Sequence, residues 1–405
     1  MTAHTFVDLF SGAGGMSFGF HAHPAFEVIG AVDLQYGKPS SGVGSLDCNK
    51  TYEANMGISP WDLDIGELDP DHLRQLIQER TGDCKLTVLS ACPPCTGFSR
   101  VNPQNHLADD GRNSLVGRMS LFVETLRPRV FVMENAREVL TGSNRHHLDG
   151  LQDHLREMGY AVHIDTHFLS RFGVPQRRER ALLIACQEDL PLFTIDDLWE
   201  GYRVTETATT VRAAIGHLPP VAAGERHQYD DAHVSPSLGN RTTARRLQSI
   251  PHDGGSWADL RDHPEREEIL TPAMLRYIER GKFGSHPDVY GRMWWDRPAP
   301  TIKRECAHYG NGRYSHPEQN RLCTVREMGI LSGFPNTYRF ESSSVANMYR
   351  HVGDAVPPVV SYQLAHLTAW VLGADRPEPK DLLLPDSHLT EADIIEDEVR
   401  QLSFR

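Results

Sequence analysis

Ser90-Ala-Cys-Pro-Pro-Cys-Thr-Gly-Phe-Ser99 places two cysteines, Cys92 and Cys95, three positions apart directly after an apolar run. A cysteine leaving the carboxyl end of a strand in an α/β sheet stands where such sheets bind their ligands. Four chemistries compete for that position. The pair fits a thioredoxin-type redox couple. It also fits half of a zinc site, but no second close pair exists to complete one, and no metal is expected. A zinc deaminase needs an upstream His-x-Glu and a proline before the first cysteine, and both are missing. The fourth reading makes Cys95 a lone nucleophile and Cys92 a buried, inert thiol. Arg127-Pro-Arg-Val-Phe-Val-Met-Glu-Asn135 then sets Glu134 and Asn135 at the end of another apolar run. A carboxyl there, between low-dielectric walls, can hold a proton and donate it. Gly173-Val-Pro-Gln-Arg-Arg-Glu-Arg180 brings Arg178 and Arg180, two apart and so on one face of an extended chain, to serve a ligand oxygen, a phosphate or Glu134.

A second group of residues points to a bound ligand. Asp8-Leu-Phe-Ser-Gly-Ala-Gly-Gly15 is a glycine-rich turn between a strand pattern and a helix pattern, where backbone comes close to a ligand. Its spacing is not GxGxxG, which argues against a dinucleotide pyrophosphate. Asp33 ends the next strand pattern, the position that bonds a ribose diol in such folds. Asp64-Ile65 falls near the end of an expected third strand, suited to an adenine edge. Together these residues suggest an adenosine-type ligand without a phosphate.

Apolar periodicity predicts strands over 5–9, 26–32, 86–90, 130–133, 161–168 and 181–186, and helices over 68–80, 115–126 and 147–158. That alternation predicts an α/β fold with a mostly parallel sheet. Beyond residue 191 the periodicity weakens and Pro, Gly, His, Trp and Arg accumulate. Trp257, Trp294 and Trp295 mark a folded, loop-rich second unit rather than disorder. An apolar helix over 359–372 returns to complete the first unit. The expected division is 1–190, 191–340, 341–374 and an acidic tail over 375–405, the tail read as a solvated helix. The Gly- and Ser-rich stretch 36–46 reads as a surface loop, with a lid over the ligand mouth as the functional alternative.

The apolar runs are strand-sized and too short to span a bilayer, and residues 1–20 carry no basic leader region. Seven scattered cysteines suit free thiols in a reducing compartment. A cytoplasmic protein is the expectation. A net charge of −13 weighs against nucleic-acid binding when read alone. Acid is concentrated in 375–398, however, while Arg is dense over 241–246, so charge leaves the partner open.

Taken in order, Asp8 to Gly15, Pro93-Pro-Cys95, Glu134-Asn135 and Gln176-x-Arg-x-Arg180 resemble the signature motifs of the DNA cytosine-C5 methyltransferases. Two more blocks follow in that family's order: Arg321-Leu-Cys-Thr-Val-Arg-Glu-Met-Gly-Ile-Leu-Ser-Gly-Phe-Pro-Asn-Thr-Tyr-Arg-Phe340 and Gly353-Asp-Ala-Val-Pro-Pro358. The resemblance extends to about Leu372 and implies a Rossmann-like S-adenosylmethionine-dependent methyltransferase fold with a smaller, loop-rich target-recognition domain. It implies that S-adenosylmethionine is held by Asp8, Phe10, Ser11, Gly12, Ala13, Gly14, Gly15, Asp33, Asp64, Ile65, Pro94, Leu115, Asp354 and Ala355. Cys95 would add to C6 of a flipped cytosine, and Glu134, with Asn135 beside it, would bond N3. Arg180, with Arg178, would touch the base or orient Glu134. Ser99 and Arg112 would lie on or near a loop closing over it. The stretch from Pro191 to Arg321 occupies the place of the recognition domain, where Pro300-Thr-Ile302 resembles a Thr-Ile/Leu dipeptide of the family. Arg112, Gln176, Arg292, Thr301, Arg304, Asn311 and Gln319 are the candidate DNA contacts.

The chemistry explains these residue types. C5 of cytosine is a poor nucleophile until a thiolate adds to C6, and the ring is out of reach until the base leaves the stack. Thr96 stands where the family usually has Gln, Cys92 where Gly is common and Asp354 where Asn is usual. A tRNA-directed branch of the family lacks a large recognition domain; the insertion from Pro191 to Arg321 therefore favours double-stranded DNA. A non-enzymatic DNA-binding relative would not need Cys95, Glu134, Arg178 and Arg180. The compact layout suggests a monomeric restriction-modification or phage-defence methylase working at the nucleoid, alongside restriction or defence-system components.

Overall fold

A computed structural model describes residues 3–36, 45–83, 85–94, 114–142, 145–281, 283 and 288–397. Cys95, Ser99, Arg112 and most of the 36–46 stretch lie outside the described residues. The chain opens with β1 (His4–Leu9), α1 (Gly15–Ala22), β2 (Phe26–Val32), α2 (Cys48–Met56), α3 (Pro70–Thr81), β3 (Val88–Ala91), α4 (Ser114–Leu126) and β4 (Val130–Ala136). It continues with α5 (Glu138–Thr141), α6 (His146–Glu157), β5 (Tyr160–Phe168), β6 (Glu179–Gln187), α7 (Ile195–Leu198) and β7 (Tyr202–Val204).

Six strands form one sheet in the order β2-β1-β3-β4-β6-β5. The first four are parallel, and β6 runs antiparallel to both neighbours. β1, β3 and β4 are buried on both faces, which is why they read as short continuous apolar runs. Leu9 pairs with both Val32 and Ala91, and Ala91 pairs with Met133. The carboxyl ends of four strands therefore line up along one edge. β1 is followed in sequence by β2 on one side and flanked by β3 on the other, the switch point where such sheets leave a crevice. The strand expected to end near Asp64-Ile65 is absent. Its segment contributes a single parallel bridge, Val32 to Trp61, and the Trp61 ring lies against Gly30 where a side chain would stand.

The amphipathic helices α3, α4 and α6 cover one sheet face with Leu73, Ile77, Met119, Phe122, Leu148 and Leu155. The other face is covered by α1 and by α14 (Pro358–Val371), the helix expected over 359–372. Between them come α8 (Val211–Ile215), β8 (Arg226–His227), β9 (Asp230–Val234), α9 (Arg241–Ser249), α10 (Arg266–Ile269), α11 (Pro272–Arg280), α12 (Val325–Leu331) and α13 (Val345–Asp354). These short elements share a second core around Trp257, Met293, Tyr314 and Tyr349, joined by Tyr52 and Met56 of α2. Periodicity did not announce α2, because its sequence is polar. The helix is held instead by tertiary bonds: Thr51 Oγ1 donates to the Glu341 carbonyl and Tyr52 Oη to Ser17 Oγ.

Over its described residues, 375–397, the acidic tail is not a solvated helix. Leu382, Leu384 and Leu389 are buried in the core beneath the sheet. Strand β10 (Ile394–Glu396) pairs antiparallel with β7. Three leucines spaced through acidic sequence outweigh its charge, and strand pairing satisfies the backbone.

The tightest approach is between α1 and α14. A methyl on Gly19 would stand 2.1 Å from Tyr362 N and 2.2 Å from the Ser361 carbonyl carbon. Gly19→Ala is expected to lower unfolding free energy by about 1–3 kcal/mol or more in urea titrations, because backbone must move. Gly150→Ala, on the exposed side of α6 with nothing within 4 Å, is expected to leave stability unchanged or raise it by about 0.5–1 kcal/mol.

Candidate active site

The glycine turn between β1 and α1 lies at the aligned strand ends. Phe10 and Gly12 both have positive φ, 60° and 52°. For a phenylalanine that is a strained conformation, of the kind concentrated at ligand sites. The strain is held from below by Asp8, which is fully buried. Its Oδ2 accepts from Ser17 Oγ at 2.6 Å and its Oδ1 from Ser90 Oγ at 2.5 Å, tying β1 to α1 and β3. Asp8 is thus engaged under the loop rather than on its outer side. Burial pushes its carboxyl up to about 7 despite those two donors, with Asp33 adding to the rise. Tyr338 closes the turn from the far end of the chain, its hydroxyl donating to the Ala13 carbonyl.

Three observations fit an adenosine-type ligand here. Among the described residues, a methyl on Gly12 would meet no atom within 4 Å beyond its chain neighbours. Ser11 Oγ is buried without a hydrogen-bond partner among the described residues. Asp33, nearly buried, follows the end of β2, and its amide donates to the Trp61 carbonyl. Arg118 of α4 donates to the carbonyls of Ile65 and Leu68, both at 2.8 Å, which fastens the helix that carries Leu115 to the segment that carries Ile65. Asp64 is engaged in its own turn, its Oδ1 accepting from Gly66 N.

On the other side of β1, Cys92 N donates to the Leu9 carbonyl, setting Cys92-Pro93-Pro94 beside the glycine turn. Asn135 Nδ2 donates to the Pro93 carbonyl at 3.1 Å, while its Oδ1 accepts from Ala136 N. The chain leading to Cys95 is therefore moored to the end of β4. Burial, with the charges of Glu134 and Asp8, pushes the Cys92 thiol well above its ordinary value. A thiol raised in this way weakens the redox-couple reading of Cys92. Glu134, the preceding residue on β4, pairs with Arg180 across β6, Oε1 to Nε at 2.7 Å, with both side chains nearly buried.

The other expected contacts separate into two groups. Arg178 is buried with its guanidinium donating to the carbonyls of Ile302, Gly353 and Ala355. It holds the two returning segments together through these carbonyls. Gln176 and Arg292 are fully buried, which corrects their reading as groove contacts. Gln176 bonds the Leu331 carbonyl, Ser332 Oγ and Ile302 N. Arg292 donates to the carbonyls of Leu247, Ile250, His316 and Gln319 and to Asn320 Oδ1. Gln319 is engaged likewise, accepting from Val221 N and Arg321 Nε. Thr301 Oγ1 donates to the Arg177 carbonyl, and Arg304 pairs with Asp354. Asn311 is exposed. Ala355 and Val356 lie on Gly15, so the last motif closes over the glycine turn. Sequence reasoning missed Ser17, Tyr52, Arg118 and Tyr338. Of these only Tyr338 lay within a quoted motif, and none shows its role until the chain folds back.

Two measurements follow from this geometry. Asp8 has a folded pKa above its unfolded value of 3.8, so the folded chain keeps a proton that the unfolded chain releases. Its contribution is complete below pH 3.8 and is lost as pH rises through about 7. The stability difference between wild type and Asp8→Asn should shrink across that window by about 1.4 kcal/mol per pH unit and level off above it, read from urea unfolding. Arg292→Lys should destabilise the fold by about 1–3 kcal/mol, because an ammonium cannot reach all those acceptors. A weakened DNA affinity at unchanged stability would contradict the buried role.

Residues 4–368 match the family model for C-5 cytosine-specific DNA methylase. The chain is 30% identical over 363 residues to Type II methylase M.HgiDII of Herpetosiphon aurantiacus, covering 89% of this chain and 93% of that one. It is 29% identical over 363 residues to Type II methyltransferase M1.HphI of Haemophilus parahaemolyticus, covering 89% and 85%. The crystal structure of S. pombe Dnmt2 methyltransferase shares the fold, with a TM-score of 0.57 over 92% of this chain and 100% of that chain at 17% identity. Among the described residues no helix is long and apolar enough to cross a membrane. With the glycine turn, the moored Pro-Pro segment and the Glu134–Arg180 pair gathered on one sheet edge, the chain belongs to the C-5 cytosine-specific DNA methylases and is a DNA (cytosine-5)-methyltransferase.

Proposed function

We propose that this enzyme methylates a cytosine flipped out of a specific duplex sequence, through a covalent bond between Cys95 and C6, and that it serves as the modification half of a restriction or phage-defence system. The observation that carries the reading is the mooring of Pro93 to Asn135 beside the Glu134–Arg180 pair. It brings the segment that precedes Cys95 to a carboxylate already oriented by a guanidinium. S-adenosylmethionine, which the family uses, supplies an electrophilic methyl group. The residues to hold it are Phe10 to Gly15, Asp33, Ile65, Pro94, Leu115 and the Asp354-Ala355 turn, with Asp64 at the rim and Asp8 bracing the loop from beneath.

In this reading the Cys95 thiolate adds to C6, forming an S–C bond and pushing the C5–C6 electron pair onto C5. Glu134 hydrogen-bonds N3 and stabilises the charge that this push delivers to the ring. Arg180 keeps Glu134 in place. Arg178 acts at one remove, by fixing the segments that carry Ile302 and Ala355. After C5 takes the methyl group, loss of its proton returns the electron pair to the ring and expels Cys95, so the thiolate is regenerated. Ser99 and Arg112, outside the described residues, are proposed to act on the extruded base, which costs a few kcal/mol to unstack. Residues 191–340 are the proposed recognition domain. Residues 195–208 pack against the sheet instead, which favours placing its start near α8. Double-stranded DNA is the substrate, with Thr301, Arg304 and the exposed Asn311 the remaining candidate contacts among the described residues. The Type II names of both relatives support the restriction context.

Tritiated methyl transfer to mixed-sequence duplex DNA and to bulk tRNA tests the proposal. Label is expected in DNA as 5-methylcytosine, with Cys95→Ala lowering the rate at least about 10³-fold and Glu134→Gln by about 10²–10⁴-fold. DNA with 5-fluorocytosine at the target should trap wild type, but not Cys95→Ala, as a complex that survives denaturing electrophoresis. Label in tRNA alone would move the enzyme to RNA, and trapping that persists without Cys95 would remove the proposed nucleophile.

A further inference from the structure

The outer edge of the sheet carries a cluster that methyl transfer does not use. β5 reads Tyr160-Ala-Val-His-Ile-Asp-Thr-His-Phe168, so His163, Asp165 and His167 alternate along one face of an edge strand. Asp196 of α7 reaches the same place. One ligand atom from each of Asp165, His167 and Asp196 lies within 4.8 Å of the others. His167 is only 4% exposed, and its Nδ1 has no hydrogen-bond partner among the described residues. The Asp196 Oδ2 that faces this nitrogen is 3.8 Å away, too far for a hydrogen bond. A buried ring nitrogen left unpaired is costly, and this one faces the Asp196 carboxylate, with Asp165 in the same cluster.

The surroundings prepare the group for a metal. Asp196 is oriented from behind, since its Oδ1 accepts from Arg171 Nη2 at 3.0 Å and leaves Oδ2 toward His167. Such outer partners commonly fix a carboxylate ligand. Asp165 Oδ1 accepts from Thr166 N at 2.6 Å, which leaves its other oxygen. Ligands around a zinc ion at about 2.0–2.2 Å stand roughly 3.5 Å apart. The exposed Asp165 side chain can close the remaining gap by rotation. An imidazole among carboxylates favours a transition metal over magnesium or calcium.

We propose that Asp165, His167 and Asp196 form a binding site for one divalent transition-metal ion of the zinc kind, clipping the edge strand β5 to α7. The clip joins the outermost strand to the segment that leaves the sheet, and its role is structural, since β6 separates it from Glu134.

The full-length enzyme, stripped with a chelator, is titrated with Zn²⁺ alone by calorimetry and with Co²⁺ alone by visible absorption. Wild type should bind one equivalent, raise its Tm with Zn²⁺ and develop Co²⁺ bands of a site with nitrogen and oxygen ligands. Asp165→Asn, at an exposed position, should keep the metal-free Tm and methyl transfer while weakening Zn²⁺ at least about 10-fold. Asp165→Asn with Asp196→Asn should abolish the stoichiometric site and the Tm rise. Absence of a one-equivalent site in wild type would overturn the proposal. So would Zn²⁺ or Co²⁺ binding that both variants retain, since the ion would then sit on other histidines.

Discussion

The glycine turn that defines this enzyme exists in its observed form because residues from the far end of the chain sit on it. Ser361 Oγ donates to the Gly15 carbonyl and accepts from Gly19 N, across 346 and 342 positions of sequence. The Val356 carbonyl occupies the place where a side chain on Gly15 would stand. A loop with positive φ at Phe10 is not stable by local propensity, so it needs this lid of backbone above it and the Asp8 carboxylate beneath. Closing so long a loop is entropically expensive only once. The return through α13 and α14 therefore secures Arg178, Asp354 and the glycine turn in a single event. Glycine turn and fold are in that sense one cooperative unit.

Much of the arginine in this acidic chain works inside the protein. The region between α8 and α13 has short helices and few strands, so many of its carbonyls have no partner in a regular ladder. A guanidinium presents five donors in one plane and satisfies several such carbonyls together. Arg292 does this for four carbonyls, Arg313 for those of Gly254, Gly255 and Arg292, and Arg178 where this region meets β6. Arg321 forms a buried fork with Glu327, whose charge also caps α12. Counting arginines as DNA contacts overstates the positive surface, because the folded chain has already spent many of them on its own backbone.

Legibility in the sequence followed the range of the forces involved. Strands buried on both faces and helices with one apolar stripe were readable, since their signal is local; α3, α4, α6 and α14 fall within two residues of expectation at either end. The residue types at the strand ends were also readable, because chemistry restricts them. What could not be read was anything settled by a distant partner. α2 is polar and helical only because residues 339–341 bond its side chains. The tail looks like a solvated acidic run, yet Leu389 fills the space left by Gly173. Arg178 and Arg180 look equivalent in sequence, and only tertiary contacts make one a truss and the other the partner of Glu134.

The inverted strand explains why those two arginines diverge within three residues. In a wholly parallel sheet the neighbour of β4 would deliver its carboxyl end, and whatever loop followed it, to the edge that carries Glu134. β6 runs the other way, so its first residues arrive there: Arg180 opposite Ala136, and Leu182 opposite Glu134. Chain preceding a strand must come from elsewhere in the fold, and here it comes along the segment that bridges Gln176 to Ala299. The inversion thus sets the guanidinium of Arg180 against the carboxylate and ties the region beyond α8 to the same edge through Thr301 and Ile302. One reversed strand thereby couples the region beyond α8 to the edge that carries the Glu134–Arg180 pair.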